Sequence, residues 1–223
     1  WSQGSADGLL ASVLLATEAP VIAVPAMNTA MWRHPAVQRN WLRIQDFPGV
    51  VPLLPESGLL ACDRVGDGRM ADPLLIELAA ASVFSRGPGA PAMNLDWSGM
   101  SVLVSAGPTQ EPIDPARFLS NRSSGRMGVL LAQAARFRGA NVRLVHGPLD
   151  LPVAWLEGLQ CTAVETAAEL SSALQLARPT SDVLVMAAAV ADLRREVASA
   201  DKLGKLQLQE VLSSGWDEVP DVL

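Results

Sequence analysis

Short apolar segments alternate with helical segments along the chain, and this alternation constrains the fold more than any other feature. After residue 100 the strand candidates are residues 101–105, 142–146 and 182–187, and helical patterns over 127–137 and 166–177 separate them. Strands that alternate with helices pair in parallel through right-handed crossovers. The pattern therefore predicts an α/β fold with doubly wound parallel sheets.

The first hundred residues repeat this pattern less regularly. They contain strand candidates at 20–24 and 50–54 and helical patterns over 7–16 and 29–44. Asp72 and Pro73 predict the start of a further helix that runs to Phe84. The glycine-rich stretch at 58–70 is predicted to be a loop. Residues 87–97 are rich in glycine and proline and predict a linker between a first domain, 1–86, and a second, 98–223.

Composition excludes several classes of protein. The 223 residues are 49% hydrophobic and 18% charged, which is enough for a packed core, and the net charge of −6 argues against a nucleic-acid binder that works by bulk attraction. Two cysteines cannot form a disulfide framework, and the longest apolar runs are too short to cross a membrane. We expect a cytoplasmic protein. Because the chain begins at Trp1 and ends in an apolar stretch, we also expect it to be a central piece of a longer protein.

In parallel α/β sheets, ligands bind beyond the carboxyl ends of the strands. The sequence Pro25-Ala26-Met27-Asn28 directly follows one predicted strand. The Asn28 amide can hold a carboxylate in such a crevice, or it can cap the next helix. Its position alone leaves both interpretations open.

A second candidate is the loop around Cys62. Arg64 and Arg69 lie on the same glycine-rich stretch, and their charge would favour a thiolate at Cys62. The alternative is a solvated surface loop that carries an inert thiol.

The stretch 107–128 is a third candidate. Ser123, Ser124 and Gly125 precede a predicted helix, and Arg126 follows them. Hydroxyl groups, unpaired backbone N–H groups and an arginine at a helix N-terminus favour a bound phosphate. The alternative is an ordinary capped helix.

The fourth candidate follows the strand at 182–187. Asp192 comes a few residues later, followed by Lys202 and Lys205, which are the two lysines of the chain. A lysine at this position can serve as a mobile point charge, or it can lie on a solvated loop. His34 and His146 lack companions at metal-ligand spacing, so no zinc site is predicted, and the metal ligands, if any, stay unknown.

Taken together, these motifs resemble the bifunctional phosphopantothenoylcysteine decarboxylase/phosphopantothenate–cysteine ligase family of coenzyme A biosynthesis. PAMNTAMWRHPAVQRN at 25–40 and LACDRVGDGRMADP at 60–73 resemble the second half of the decarboxylase. SAGPTQEPIDPARFLSNRSSGRMG at 105–128, AAVAD at 188–192 and Lys202 resemble the start of the ligase. The resemblance covers most of the chain and implies a flavodoxin-like unit and a Rossmann-like unit, both incomplete.

For the ligase, the resemblance implies that CTP and Mg²⁺ activate the carboxylate of 4′-phosphopantothenate as an acyl-cytidylate, from which the amine of cysteine displaces CMP. Arg117 and Asn121 would act at the acyl-phosphate end, and Lys202 would reach the phosphates or the intermediate. The residues implied to contact the nucleotide are Ser123, Ser124, Gly125, Arg126, Met186, Ala187, Ala188, Asp192, Lys202, Pro220, Asp221, Val222 and Leu223.

For the decarboxylase, the resemblance implies that FMN oxidises the cysteinyl group of 4′-phosphopantothenoylcysteine, carbon dioxide leaves, and the enethiol is reduced to 4′-phosphopantetheine. Asn28 would bind the substrate carboxylate and Cys62 would protonate the enethiol. Arg69 and Met70 would line the substrate site on a loop that closes over it. The family also implies a homo-oligomer.

The chain departs from the family pattern at two positions inside these motifs. Asp63-Arg64 follow Cys62 where the family has Gly-Asp, which puts the conformation of the loop in doubt. Gly204 stands where the family has a lysine, so one positive charge is missing. We expect the piece alone to be inactive or only partly active.

Two other functions are compatible with an α/β chain of this kind. One is a non-catalytic, flavoprotein-like binding module. The other is a nicotinamide-dependent oxidoreductase, against which the absence of a GxGxxG motif argues.

Overall fold

The computed structural model of the chain describes residues 1–61, 64–85, 95–220 and 222. The chain forms two compact units. The first comprises Trp1–Gly99, Gln133–Ala140 and Pro152–Gly158, and the second comprises Met100–Ala132, Asn141–Leu151 and Leu159–Leu223. Most of the predicted linker, residues 87–94, lies outside the described residues, so the linker stays a prediction.

The described residues of the first unit's main segment, Trp1–Gly99, form four helices and four strands. In chain order they are α1 (Leu9–Ala16), β1 (Val21–Ala23), α2 (Thr29–Trp32), α3 (Pro35–Gln45), β2 (Val50–Pro52), β3 (Glu56–Leu59), β4 (Val65–Arg69) and α4 (Pro73–Phe84). β1 and β2 pair in parallel, and β3 and β4 form an antiparallel hairpin. Val51, Leu53, Ala71 and Ala79 are buried in the core of this unit.

Local sequence signals explain where these helices begin. Asp72 accepts a hydrogen bond from the Leu74 N–H at 2.8 Å, and Pro73 follows as the first helical residue, which confirms the predicted start of α4. The helical pattern over 29–44 is divided in two because Pro35 begins a new helix. The predicted loop over 58–70 was wrong in part, because β3 and β4 occupy much of it.

The second unit carries the larger sheet. Its elements are β5 (Ser101–Ala106), β6 (Gln110–Asp114), β7 (Arg117–Ser120), α5 (Arg126–Phe137), β8 (Asn141–His146), a 3₁₀ turn (Val153–Leu156), β9 (Gln160–Ala163), α6 (Ala167–Ala177), a 3₁₀ turn (Arg178–Thr180), β10 (Val183–Met186), β11 (Leu193–Arg195), α7 (Lys205–Ser213) and β12 (Trp216–Glu218). The last turns of α5 and the first 3₁₀ turn are grouped with the first unit.

Four strands of the second unit form a parallel sheet in the order β9-β8-β5-β10. Val102 pairs with Val142 on one side and with Val183 on the other. If these four strands are renumbered 1 to 4 in chain order, their order across the sheet is 3-2-1-4. This is the order found in the first part of a dinucleotide-binding fold. The predicted α/β class is therefore confirmed.

Apolar strand residues form the core of this sheet. Leu103 and Val145 are buried against Leu170 and Leu174 of α6, and Val222 joins them. Thr166 caps α6 in a capping box with Glu169, which explains why the helix begins at this point. Among the described residues, no helix is long and apolar enough to cross a membrane.

The antiparallel hairpin β6–β7 was not predicted. It occupies much of the 107–128 stretch, for which only a helix start had been expected. Gln110 pairs with Ser120 at one end, and Asp114 pairs with Arg117 at the other. The hairpin consequently places residues of the second unit's candidate site on ordered strands.

Candidate functional sites

In the first unit, the β3–β4 hairpin contacts the turn that follows β1. The Met27 N–H donates to the Gly68 carbonyl at 2.9 Å, and the Thr29 hydroxyl donates to the Asp67 carbonyl at 2.7 Å. Gly68 has a φ of +117°, and a Cβ there would lie 2.1 Å from the Met27 carbonyl oxygen. This close approach requires glycine at position 68.

The turn and the hairpin enclose a cavity of about 350 Å³. Its lining residues are Ala26, Met27, Asn28, Leu59, Leu60, Ala61, Gly68, Arg69 and Met70. The structure thus brings together three residues that the sequence had singled out, Asn28, Arg69 and Met70. Cys62 and Asp63 lie outside the described residues, but the preceding Ala61 is part of the cavity wall.

Asn28 caps a helix, as one of the two interpretations of its position predicts, while carboxylate binding stays a prediction. Its Oδ1 accepts a hydrogen bond from the Ala30 N–H at 2.9 Å, so the side chain caps α2. The same residue lines the cavity. The cap fixes the orientation of the amide.

Asp67 connects the β3–β4 hairpin to the end of α2 through hydrogen bonds. Its carboxylate accepts hydrogen bonds from the Ser57 hydroxyl at 2.5 Å and from the Arg33 guanidinium at 2.5 and 3.1 Å. These bonds, with Ser57 the largest contributor, hold the pKa of the Asp67 carboxyl below its usual value. Sequence reasoning missed this network, for which the only signal was a lone aspartate between two glycines.

In the second unit, α5 begins close to the carboxyl end of β5. The Ser123 hydroxyl accepts from the Gly125 N–H at 3.3 Å, and the Ser124 hydroxyl accepts from the Arg126 N–H at 3.4 Å. A Cβ on Gly125 would lie 3.2 Å from the Gly107 nitrogen. The two serine hydroxyls thus bind backbone N–H groups at the start of α5, at the edge of the sheet where ligands bind in this fold. The choice between a phosphate site and an ordinary capped helix stays a prediction.

Gly128 lets α5 approach β5, and its replacement tests that contact. A Cβ at Gly128 would lie 2.5 Å from the Ala106 Cβ and 2.8 Å from the Ser105 carbonyl oxygen. We expect Gly128→Ala to lower the free energy of unfolding by about 1–3 kcal/mol, because the backbone must shift. The measurement is urea denaturation of the full-length gene product. Gly204→Ala is the matched control, since its Cβ would meet only the Gln207 side chain at 3.4 Å. An equal loss of unfolding free energy in both variants would contradict the prediction.

The segment after β10 is held by side chains of three other segments. The Ser105 hydroxyl accepts from the N–H groups of Ala187 and Ala188 at 3.1 and 3.2 Å. The Thr109 hydroxyl accepts from the Ala191 N–H at 3.0 Å, and the Asn121 amide donates to the Val190 carbonyl at 2.8 Å.

Asn121 and the predicted nucleotide-contact residues after β10 are consequently neighbours in the fold. Met186, the last residue of β10, and Asp192, at the other end of the segment, are both exposed.

Two other groups of predicted residues have different surroundings. The Arg117 guanidinium donates through NH1 to Asp114 at 3.0 Å and to the Leu203 carbonyl at 3.3 Å. Lys202, which precedes Leu203 in the sequence, is exposed. The Val222 side chain is 9% exposed and packs in the core, and its carbonyl accepts from the Ser171 hydroxyl at 2.9 Å. Pro220 is exposed, and Asp221 and Leu223 lie outside the described residues.

Metal ligands are not gathered in the part of the chain that the structure describes. Within residues 1–61, 64–85, 95–220 and 222, no group of three His, Cys, Asp or Glu side chains could hold a metal ion.

Residues 97–223 match the family model described as the DNA/pantothenate metabolism flavoprotein C-terminal domain, which is more than half of the chain. The chain belongs to this family. Residues 2–78 also match the family model described as flavoprotein. The two matched ranges follow the order in which the decarboxylase-like and ligase-like motifs occur in the sequence.

The most similar curated relatives include coenzyme A biosynthesis bifunctional proteins CoaBC. That of Escherichia coli strain K12 is 40% identical over 99% of this chain and 52% of its own length. That of Bacillus subtilis strain 168 is 39% identical over 92% of this chain and 48% of its own. The chain thus spans about half the length of these relatives, and the predicted membership of the bifunctional family is confirmed.

Among solved structures, the C-terminal domain of a CoaBC protein shares 34% identity with this chain. The match covers 55% of this chain and 63% of that structure, with a TM-score of 0.43.

Proposed function

We propose that this chain carries parts of two active sites of coenzyme A biosynthesis. The second unit would ligate 4′-phosphopantothenate to cysteine with CTP, and the first unit would take part in decarboxylating 4′-phosphopantothenoylcysteine with FMN. The observation that carries the proposal is the cavity that Asn28, Arg69 and Met70 line together with Ala61, the residue before Cys62 in the sequence. Membership of the DNA/pantothenate metabolism flavoprotein family supports it.

In the first unit, the cavity residues fit the substrate chemistry. The Asn28 amide would donate to the substrate carboxylate, and the Arg69 guanidinium would offset negative charge. Met27 and Leu60 add apolar surface to the same cavity. Bound FMN would supply the oxidation of the cysteinyl group and the later return of the electrons. Cys62 would give the proton that the enethiol needs during its reduction.

In the second unit, the residues around the carboxyl ends of β5 and β10 fit a nucleotide. Ser123, Ser124, Gly125 and Arg126 would hold phosphate at the start of α5. Met186, Ala187, Ala188 and Asp192 would contact the nucleoside, as would the segment from Pro220. Mg²⁺ would bind with the triphosphate.

Asn121, Arg117 and Lys202 would act at the reacting carboxylate. Attack of the carboxylate on the α-phosphorus of CTP expels pyrophosphate and forms the acyl-cytidylate. The amine of cysteine then attacks the acyl carbon, CMP leaves, and the amine gives up a proton. Negative charge grows on phosphate oxygens in the first step and on the acyl oxygen in the second. Amide, guanidinium and ammonium donors stabilise such charge.

The experiment is a product assay on the full-length gene product. We expect 4′-phosphopantothenate, cysteine, CTP and Mg²⁺ to give 4′-phosphopantothenoylcysteine and CMP, and added FMN to permit conversion to 4′-phosphopantetheine. Omission of CTP or its replacement by ATP tests the nucleotide. Binding of CTP or FMN without turnover would contradict the proposal and favour a non-catalytic binding module.

A further inference from the structure

Asp114 lies within the 105–128 motif, but neither the candidate site residues nor the proposed reactions include it. It ends β6, and its side chain is 0% exposed. One carboxylate oxygen accepts from the Ala116 N–H at 2.8 Å, and the other accepts from Arg117 NH1 at 3.0 Å and from the Leu203 N–H at 3.1 Å. A buried carboxylate is costly unless its lone pairs are matched in this way.

The charge on Asp114 is retained despite this burial. Desolvation alone would raise the pKa of its carboxyl, but the hydrogen bonds from Ala116 and Leu203 and the charge of Arg117 together hold that pKa below its usual value. The carboxylate is therefore a fixed acceptor at neutral pH.

Asp114 and Arg117 together bind both polar backbone groups of Leu203. The Leu203 N–H donates to Asp114, and the Leu203 carbonyl accepts from Arg117 NH1 at 3.3 Å. The end of β6 also binds the chain before Lys202, because the Ser199 N–H donates to the Ile113 carbonyl at 3.0 Å. The backbone is thus attached to the end of β6 on both sides of Lys202, whose own side chain is exposed.

We propose that Asp114 is a positioning residue for Lys202. Its carboxylate fixes the peptide group next to the lysine, so that the ammonium group starts from a defined backbone position at each turnover. A long side chain on a free loop would have to be ordered during the reaction, and an error of about 1 Å in placement can cost a hundredfold in rate. This role rests on the proposed ligase function.

The test is Asp114→Asn in the full-length gene product. Asparagine keeps the shape, but its amide nitrogen cannot accept, so in either orientation of the amide a backbone or guanidinium donor loses its partner. We expect kcat for CTP-dependent ligation to fall about 10- to 100-fold, with the KM for cysteine unchanged and decarboxylation within about twofold of the parent. Asp217→Asn, an exposed aspartate on β12, is the matched control and should leave both activities unchanged.

A double-mutant cycle distinguishes positioning from general stabilisation. If Asp114 acts through Lys202, then Asp114→Asn should change the residual rate of a Lys202→Gln protein by less than about threefold. If Asp114 only stabilises the unit, its effect multiplies with that of Lys202→Gln, and the positioning role is overturned. Amide hydrogen exchange at Leu203 should accelerate in Asp114→Asn, whereas unchanged protection would also overturn the role.

A second variant is needed if Asp114→Asn fails to fold. Misfolding would be recognised by the loss of decarboxylation as well as ligation. Asp114→Glu keeps the negative charge and both acceptor oxygens, but it carries them one methylene further from the end of β6, so the bond from the Leu203 N–H cannot keep its geometry. It should lower kcat for ligation and be non-additive with Lys202→Gln, and full additivity would overturn the proposal. If the parent protein shows no CTP-dependent ligation, the proposed function itself fails, before any variant is compared.

Discussion

Replacement of Lys202 by glutamine is expected to lower kcat for CTP-dependent ligation by about 10²–10³-fold, while decarboxylation by the same polypeptide is unchanged. Glutamine has a similar reach but no charge, so it cannot offset the negative charge that grows on phosphate and acyl oxygens. Loss of one preformed charge or donor at a developing oxyanion has an effect of this size. The measurement is steady-state ligation with CTP and cysteine varied separately.

Lys205 provides the matched control for this change. It lies three residues further on, is also exposed, and begins α7. Lys205→Gln removes the same charge from the same stretch of chain, yet we expect ligation within about twofold of the parent. An equal loss of rate in both variants would mean that bulk positive charge matters here, and would contradict a specific role for Lys202.

The second large effect is expected at Cys62. Cys62→Ser should lower the rate of 4′-phosphopantetheine formation by about 10²–10⁴-fold, because a serine hydroxyl is a much weaker acid than a thiol. Ligation should be unchanged. The decarboxylated enethiol, lighter than the product by two hydrogens, should accumulate and be detectable by mass spectrometry of the reaction mixture.

Cys161 offers the control for the thiol. It is a free, exposed cysteine on the strand β9 of the second unit, so Cys161→Ser removes a thiol from the same chain far from the predicted chemistry in sequence. We expect both activities to be retained in this variant. Normal 4′-phosphopantetheine formation by Cys62→Ser would remove Cys62 from the proposed mechanism.

Helix starts and core strands could be predicted because their signals are local. Asp72 followed by Pro73 determines where α4 begins, and Thr166 with Glu169 does the same for α6. Asn28 could be singled out because it follows a strand directly. The cavity that it lines could not be predicted, because its second wall comes from a hairpin some forty residues later in the chain.

The two hairpins were missed for physical reasons. β4 has the sequence VGDGR, in which the glycines favour a loop, and its pairing depends on contacts with Met27 and Thr29 that no local pattern encodes. β6 contains Pro112 and acidic residues that are uncommon in strands. The bond between Asp114 and Leu203 joins residues 89 positions apart, so it emerges only from the tertiary fold.

The parallel order of the second unit's sheet also has a consequence for folding. β5 pairs with β10, whose residues lie 81 positions further along the chain, and the loop closure behind such a pairing is slow. The hydrogen bond from the Leu203 N–H to Asp114 lies beyond β10 in the chain. It can form only when β10 has joined the sheet and the β6–β7 hairpin is in place. During synthesis, the ribosome must therefore release the chain well past residue 203 before the loop that carries Lys202 can reach its folded position. Partly folded intermediates would consequently lack ligase activity.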